Sequence, residues 1–238
     1  MAKRPVFIPQ LTSESLVREE EIEFVFFNGF AVSQKQKSIN SLHEAALRAL
    51  ELSGEILEVS TKSMQRIGTE LSAFNLTITS ENHGEILLEA AFQGSKVFDE
   101  TGQDSFLYDL KSGAEIKKRV GAKSDQTLTQ FVFDGQTWEL EPKTAFYDWL
   151  YLQALFQRDQ EGDITNSLKR YAAFTDIEFN PKRSINCQAR SCALFIALRH
   201  RNLLNEALSN RETFLQVLGD FNINKPPEQT TLTLDFTE

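Results

Sequence analysis

Cysteine, histidine and cationic charge are all scarce in this 238-residue chain. The two cysteines, Cys187 and Cys192, are five positions apart. On a helix that spacing points them to different faces, which argues against a disulfide between them, and they read as buried thiols. Neither they nor the three histidines, His43, His83 and His200, form a zinc-ligand spacing or a His-x-x-x-His pair, so no metal and no cofactor is expected. No apolar run approaches the roughly 20 residues that a bilayer span needs. The opening Met1 to Gln10 lacks the apolar stretch of a secretory leader, so a cytoplasmic protein without a membrane partner is expected. The formal charge of −9 argues against a protein that grips nucleic acid along its whole surface. Local basic clusters remain, one at Lys117, Lys118, Arg119 and Lys123, which reads as a solvated face, and one at Lys182, Arg183 and Arg190. A Gly-x-Gly-x-x-Gly turn, a Walker loop and a Gly-x-Ser-x-Gly elbow are also missing. Three scattered histidines leave little material for a Ser-His-Asp hydrolase. Carboxylates and lysines are the remaining candidates for chemistry.

What is present is an ordinary globular composition, 41% hydrophobic and 25% charged, with nineteen phenylalanines to fill a core. Residues 1–20 read as polar and irregular. Glu21 to Val32 alternates around Asn28-Gly29, a hairpin signal, and Ser41-Leu-His-Glu44 reads as a capping box opening a helix that closes near Gly54. A short strand is expected from Glu55 to Ser60, a short helix around Met64 to Thr69, and a strand through Phe74, Leu76 and Ile78. Helices are expected from about Ile86 to Phe98 and within Asp104 to Lys118. Leu128 to Phe133, Asp134-Gly135 and Thr137 to Leu140 form a second hairpin. Long helices follow Pro142 (Lys143 to Gln157), then Ile164 to Ala173, Cys187 to Arg199 and Asn202 to Leu218. Asp176 to Phe179 reads as extended. Beyond Asn222, past Lys225-Pro-Pro, a loose tail is expected, with Thr231 to Phe236 as a candidate edge strand. The fold class is therefore α+β, a mostly helical core with short β-hairpins.

The densest chemistry lies in Glu89-Ala-Ala-Phe92-Gln93-Gly-Ser-Lys96. On a helix, Glu89, Gln93 and Lys96 share a face, with Phe92 at its edge. A carboxylate, an amide, an amine and an aromatic plate together suit a small polar ligand. The plain alternative is a solvated Glu and Lys around a core Phe92. Leu71-Ser72-Ala73-Phe74-Asn75-Leu76 precedes this motif, Trp138 follows it, and Phe174 to Ser191 is dense in polar groups ahead of a very apolar segment.

These motifs, in this order, resemble the NADAR (YbiA-like) family over roughly residues 70–200. That family's Leu-Ser-Asn-Phe appears as Leu71-Ser72-Ala73-Phe74, with Asn75 close to the position where Ala73 replaces the family Asn. Its Glu-x-x-Phe-Gln-x-x-Lys is intact as Glu89, Phe92, Gln93 and Lys96. Trp138 stands for its later tryptophan. Asp176-Ile-Glu-Phe179-Asn180 stands for Asp-x-x-Trp-Gly, with Phe179 for Trp and Asn180 for Gly. Gln188 and Ser191 fall at its late Asn and Gly. The whole chain is more similar to the branch paired with DarT-type toxins, through Phe30 to Ile39, Leu71 to Leu76, Glu141 to Trp149 and Asp176 to Ser191. The resemblance implies an antitoxin enzyme that removes ADP-ribose from guanine in DNA. Its partners would be ADP-ribosylated DNA, ADP-ribose and the cognate toxin, the last in function and not necessarily by contact. It also implies a division into an N-terminal α/β extension (1–65) packed on a catalytic domain (66–222), with a tail (223–238).

The implied reaction breaks an N-glycosidic bond through an oxocarbenium-like transition state. Glu89 is the candidate acid/base. Two roles stand for Lys96: a free amine that forms a Schiff base with the ring-opened sugar, or a charged group that orients Glu89. Asp176 would position water or a ribose hydroxyl, or act as a turn cap. Lys182 and Arg190 suit the pyrophosphate, with the helix start near Cys187 adding its dipole. Trp138, Phe92 and Phe179 are candidate stacking plates, although a tryptophan on a hairpin strand, as Trp138 is, more often packs in the core. Ser72, Asn75, Gln93 and Asn186 complete the candidate binding set, Asn186 having a capping role as its alternative. Two other readings stand beside the glycohydrolase: an N-glycosidase on small phosphorylated metabolites, as in riboflavin-pathway damage control, and a non-catalytic antitoxin that binds its toxin.

Overall fold

The computed structural model describes residues 1–120 and 126–221. Lys123, the Lys225-Pro-Pro segment, the tail and its candidate edge strand lie outside them. The chain opens with β1 (Ala2–Pro9) and β2 (Val17–Phe24), then α1 (Val32–Leu50), β3 (Glu55–Glu58) and α2 (Arg66–Glu70). The middle carries β4 (Thr77–Ser80), β5 (Gly84–Leu87), α3 (Leu88–Gly94), β6 (Lys96–Phe98) and β7 (Gly102–Gln103). A 3-10 turn (Ser105–Asp109) leads to α4 (Gly113–Val120), then β8 (Leu128–Phe133) and β9 (Gln136–Trp138). The last third holds α5 (Ala145–Arg158), α6 (Asp163–Leu168), β10 (Tyr171–Thr175), α7 (Gln188–His200), α8 (Leu204–Ala207) and α9 (Arg211–Asp220). This is the expected α+β class.

Among the described residues the strands form three small sheets: β2-β1-β10-β3, the β4-β5 hairpin, and β7-β6-β8-β9. In the first, β1 runs antiparallel to β2 and β10, with Phe7 opposite Phe174, and β10 runs parallel to β3. Side chains alternate across this sheet. Phe7, Leu57 and Phe174 enter the main core with α5 and α7, whereas Val6, Ile8, Ile56 and Ala173 pack on Ile39, Leu42 and Ala46 of α1. The sheet is thus covered on both faces. Helices α5 and α7 are buried nearly all round, enclosed by the elements around them, so apolar residues are not confined to one stripe.

The structure corrects several expectations. Residues 1–20 form the β1-β2 hairpin, because Pro5-Val-Phe-Ile8 is a short, wholly buried run. Asn28-Gly29 does not turn a hairpin but joins β2 to α1. Ser41 lies in mid-helix, where its hydroxyl accepts the Val25 N–H at 3.1 Å, so the capping-box pattern is coincidental. Phe74 and Leu76 belong to a hydrogen-bonded turn, with Leu76 N–H on the Ser72 carbonyl at 2.7 Å. The motif helix stops at Gly94, so Lys96 starts a strand. Tyr171 to Thr175 is a strand rather than the end of a helix, and Asp176 to Phe179 is a turn that follows it. Asn202 to Leu218 is two helices, the second capped by Asn210 accepting the Thr213 N–H. The Asp134-Gly135 hairpin stands, with positive φ at both residues as a type I′ turn needs.

Candidate functional site

A cavity of about 540 Å³, within the range of small-molecule sites, opens where β1, α1, α3, α4, α5 and the segment between β10 and α7 converge. Glu89, Phe92, Gln93, Asp176, Phe179 and Asn186 line it. Six of the residues singled out in the sequence thus meet here from two separate segments, α3 and the stretch between β10 and α7.

The two carboxylates are set by one continuous chain of bonds. Glu89 N–H donates to the Ala73 carbonyl at 2.9 Å, while the Ala73 N–H donates to Gln188 Oε1 at 2.8 Å. The other end of that amide, Gln188 Nε2, donates to Asp176 Oδ2 at 2.9 Å. Asp176 Oδ1 accepts the Glu178 N–H at 2.9 Å. Ala73 and Gln188 therefore fix the start of α3 relative to the turn after β10. On α3 the i, i+4 spacing brings Gln93 Nε2 to Glu89 Oε1 at 2.9 Å. That orients the amide and, among the described residues, leaves Gln93 Oε1 buried without a partner, as Asn186 Oδ1 and Arg4 Nε also are. Buried polar atoms normally find partners, so two acceptors and one donor are available to a ligand.

Burial raises the Asp176 carboxyl to about 7. Behind it Glu58, also buried, is pushed up to about 8, first by desolvation and then by the Asp176 charge. Glu58 accepts from the Ser60 hydroxyl at 2.6 Å, the Thr175 hydroxyl at 2.7 Å and the Ile177 N–H at 2.8 Å. His43 Nε2 lies 2.8 Å from the same Thr175 hydroxyl, and burial lowers His43 to about 4. A neutral His–Thr–Glu chain thus backs the cavity wall.

Lys96 Nζ sits 4.8 Å over the Phe92 ring and does not line the cavity. Burial lowers its pKa, and the Glu89 charge opposes that. Tyr147, edge-on to Phe92 at 5.0 Å, lines the wall. Desolvation, followed by the charges of Glu89 and others, holds its phenol well above the usual range, so it is a hydrogen-bond donor. Four cations, Arg4, Lys35, Lys117 and Arg183, also line the opening. Lys35 pairs with Glu178 at 3.0 Å, and Lys117 lies 4.6 Å over Phe74. Among the described residues the Arg183 side chain has no ion pair or hydrogen bond.

Five candidate residues lie elsewhere. Trp138 is buried in the core, 5.1 Å from Trp149 and 5.6 Å from Phe146. Arg190 is bound to Asp148, whose other oxygen accepts the Ser191 hydroxyl at 2.7 Å. It clamps α7 to α5 and is committed to a buried carboxylate. Ser72 is buried in its turn, Asn75 donates to the Thr69 carbonyl at 2.8 Å, and Lys182 is exposed outside the cavity. Arg4, Tyr147 and Arg183 were missed as site residues. Tyr147 lies in a segment that carried the resemblance, whereas nothing local marks Arg4, which reaches the site only through the pairing of β1 with β10.

Both cysteines are free and buried, and burial pushes the Cys192 thiol up to about 12. Among the described residues no cluster of His, Cys, Asp and Glu could hold a metal, and no helix is long and apolar enough to cross a membrane.

A comparison with curated proteins returned no match. A family model, by contrast, covers residues 2–228 and is described as DarT1-associated NADAR antitoxin. The motif residues that gather at the cavity are those on which the resemblance rested, and the match spans nearly the whole chain: the protein belongs to the DarT1-associated NADAR antitoxin family.

Proposed function

We propose that this chain hydrolyses the N-glycosidic bond between ADP-ribose and guanine in DNA, and so reverses the modification made by a DarT-type toxin. The observation that carries the reading is the pairing of Glu89 with Asp176 at one cavity, held through Ala73 and Gln188, beside unpartnered buried acceptors. Gln93 Oε1 and Asn186 Oδ1 take ribose hydroxyls, which are donors. Arg4 and Arg183 take the pyrophosphate, in place of the Arg190 suggested by spacing. Phe179 and Phe92 bound the flat parts of the ligand.

In the reaction the bond from the anomeric carbon to the guanine nitrogen breaks, its electron pair leaves with the base, and water adds to the sugar. Glu89 faces the developing oxocarbenium charge and takes the proton of the incoming water. Asp176, raised to about 7, carries a proton over much of the neutral range and supplies one to the departing base. Burial favours the free amine of Lys96 that a Schiff base requires, whereas its place over Phe92 favours a role in orienting Glu89. Borohydride trapping of a sugar adduct separates the two.

The test is release of ADP-ribose from an oligonucleotide carrying ADP-ribosyl-guanine. Wild type is expected to release it, and Glu89→Gln to be slower by about 10²- to 10⁴-fold with unchanged melting. No release by wild type removes this reading; cleavage of a free phosphorylated N-glycoside instead would move it to small metabolites.

A further inference from the structure

The loop between β2 and α1, which meets the cavity wall through Lys35, exposes apolar side chains. Phe30 is fully exposed, and Phe27 and Val32 are also exposed. Lone exposed apolar residues are common, but several on one short loop mark a contact surface. This loop is pinned. Phe27 N–H donates to the Ser38 hydroxyl at 2.9 Å and Val25 N–H to the Ser41 hydroxyl at 3.1 Å, both serines lying on α1. The aromatic rings are therefore presented by a backbone that α1 holds in place. One turn into the same helix, Lys35 reaches the cavity wall and lies 5.5 Å over the Phe26 ring. Arg4, on the strand paired with β2, and Arg183 line the same opening.

Exposed aromatic side chains a short way along the chain from Lys35 of the cavity wall, on a chain whose net charge is −9, suit a polyanion that carries stackable bases. We propose that the 25–32 loop is a platform for the single-stranded nucleotides flanking the modified base, with Phe30 stacking on a neighbouring base while Lys35 turns from Glu178 to the adjoining phosphate. The inference rests on the reading of the cavity as a site for an ADP-ribosylated base. If the cavity holds the ADP-ribose, the strand leaves through the opening and passes this loop. Base–aromatic stacking is tolerant of sequence, so the platform extends the substrate contact without reading a sequence.

The experiment compares two substrates, an ADP-ribosyl-guanosine mononucleoside and a single-stranded oligonucleotide bearing the same lesion, with wild type, Phe30→Ala and Phe30→Trp. Among the described residues nothing covers Phe30, so these variants are expected to melt like wild type. Phe30→Ala should lose about tenfold in kcat/KM on the oligonucleotide, leave the mononucleoside rate unchanged, and be rescued by Phe30→Trp. Equal rates for wild type and Phe30→Ala on both substrates overturn the platform while leaving the glycohydrolase reading intact. Fluorescence anisotropy with an unmodified single-stranded oligonucleotide tests the platform even if wild type cleaves neither substrate. Binding weakened by Phe30→Ala supports it, and binding indifferent to Phe30 overturns it. A Phe30→Ala effect on capture of the purified toxin, with oligonucleotide binding unchanged, also overturns it and assigns the loop to a protein partner.

Discussion

At the residue scale, the unusual feature is a set of titratable groups that lie buried in one network. Glu58 and Asp176 stand near 8 and 7 in the folded chain, against ordinary values of 4.5 and 3.8. A carboxyl raised in this way keeps a proton that the unfolded chain has released. Its stabilising contribution is complete below the unfolded value and is lost as pH rises through the folded one. His43, lowered to about 4, acts in the opposite sense and only below its ordinary 6.5. Between pH 6.5 and about 8 the carboxyls alone set the slope of this network, and the melting temperature should fall with rising pH. Glu58→Gln mimics the protonated form, accepting from Ser60 and Ile177 while donating to Thr175. Thermal melts of that variant should be flatter over the same interval. An unchanged slope would place the buried charge elsewhere.

At the scale of elements, α3 is short and tightly framed. A methyl group on Gly94 would come within 2.6 Å of the Tyr108 ring. That ring cannot swing aside freely, because its hydroxyl accepts from Gln103 Nε2 at 2.9 Å and lies 3.3 Å from Ser95 Oγ. Gly94→Ala should therefore cost about 1–3 kcal/mol by overpacking, read as a lowered denaturation midpoint. Which elements were legible follows from their periodicity. Helices α5 and α7 and the Asp134-Gly135 hairpin declare themselves through long apolar segments and a turn dipeptide. Strands β1 and β10 do not, because both faces of each are buried and alternation disappears. Tyr171-Ala-Ala-Phe174 then imitates a helix by composition. The same blindness hid Arg4, whose place in the site depends on β1 being a strand at all. Glu89 to Lys96 was legible as chemistry, yet the chain changes from helix to strand within it, and spacing alone carried Lys96 onto the wrong element. Arg190 was misread because a buried carboxylate on another helix, Asp148, is invisible from its own neighbourhood.

At the scale of the molecule, the first and last thirds of the chain are one structure. β1 lies between β2 and β10, and β10 lies between β1 and β3. Removing residues 1–24 would expose Phe174 and the apolar side chains of α1 and α7 that β1 covers. The truncated chain should lose its cooperative melt and its near-ultraviolet circular dichroism. A truncation that stays folded but inactive would instead assign the N-terminal hairpin to the site alone.

The pairing of Phe7 with Phe174 also sets a clock. The ribosome must add about 170 residues after β1 before its partner strand exists, which takes roughly 8–30 s at common rates of synthesis. For that interval the nascent antitoxin has neither its central sheet nor Arg4 at the cavity. A toxin encoded alongside it would be opposed only by copies already finished, so protection would be a property of the standing pool and not of the chains being made.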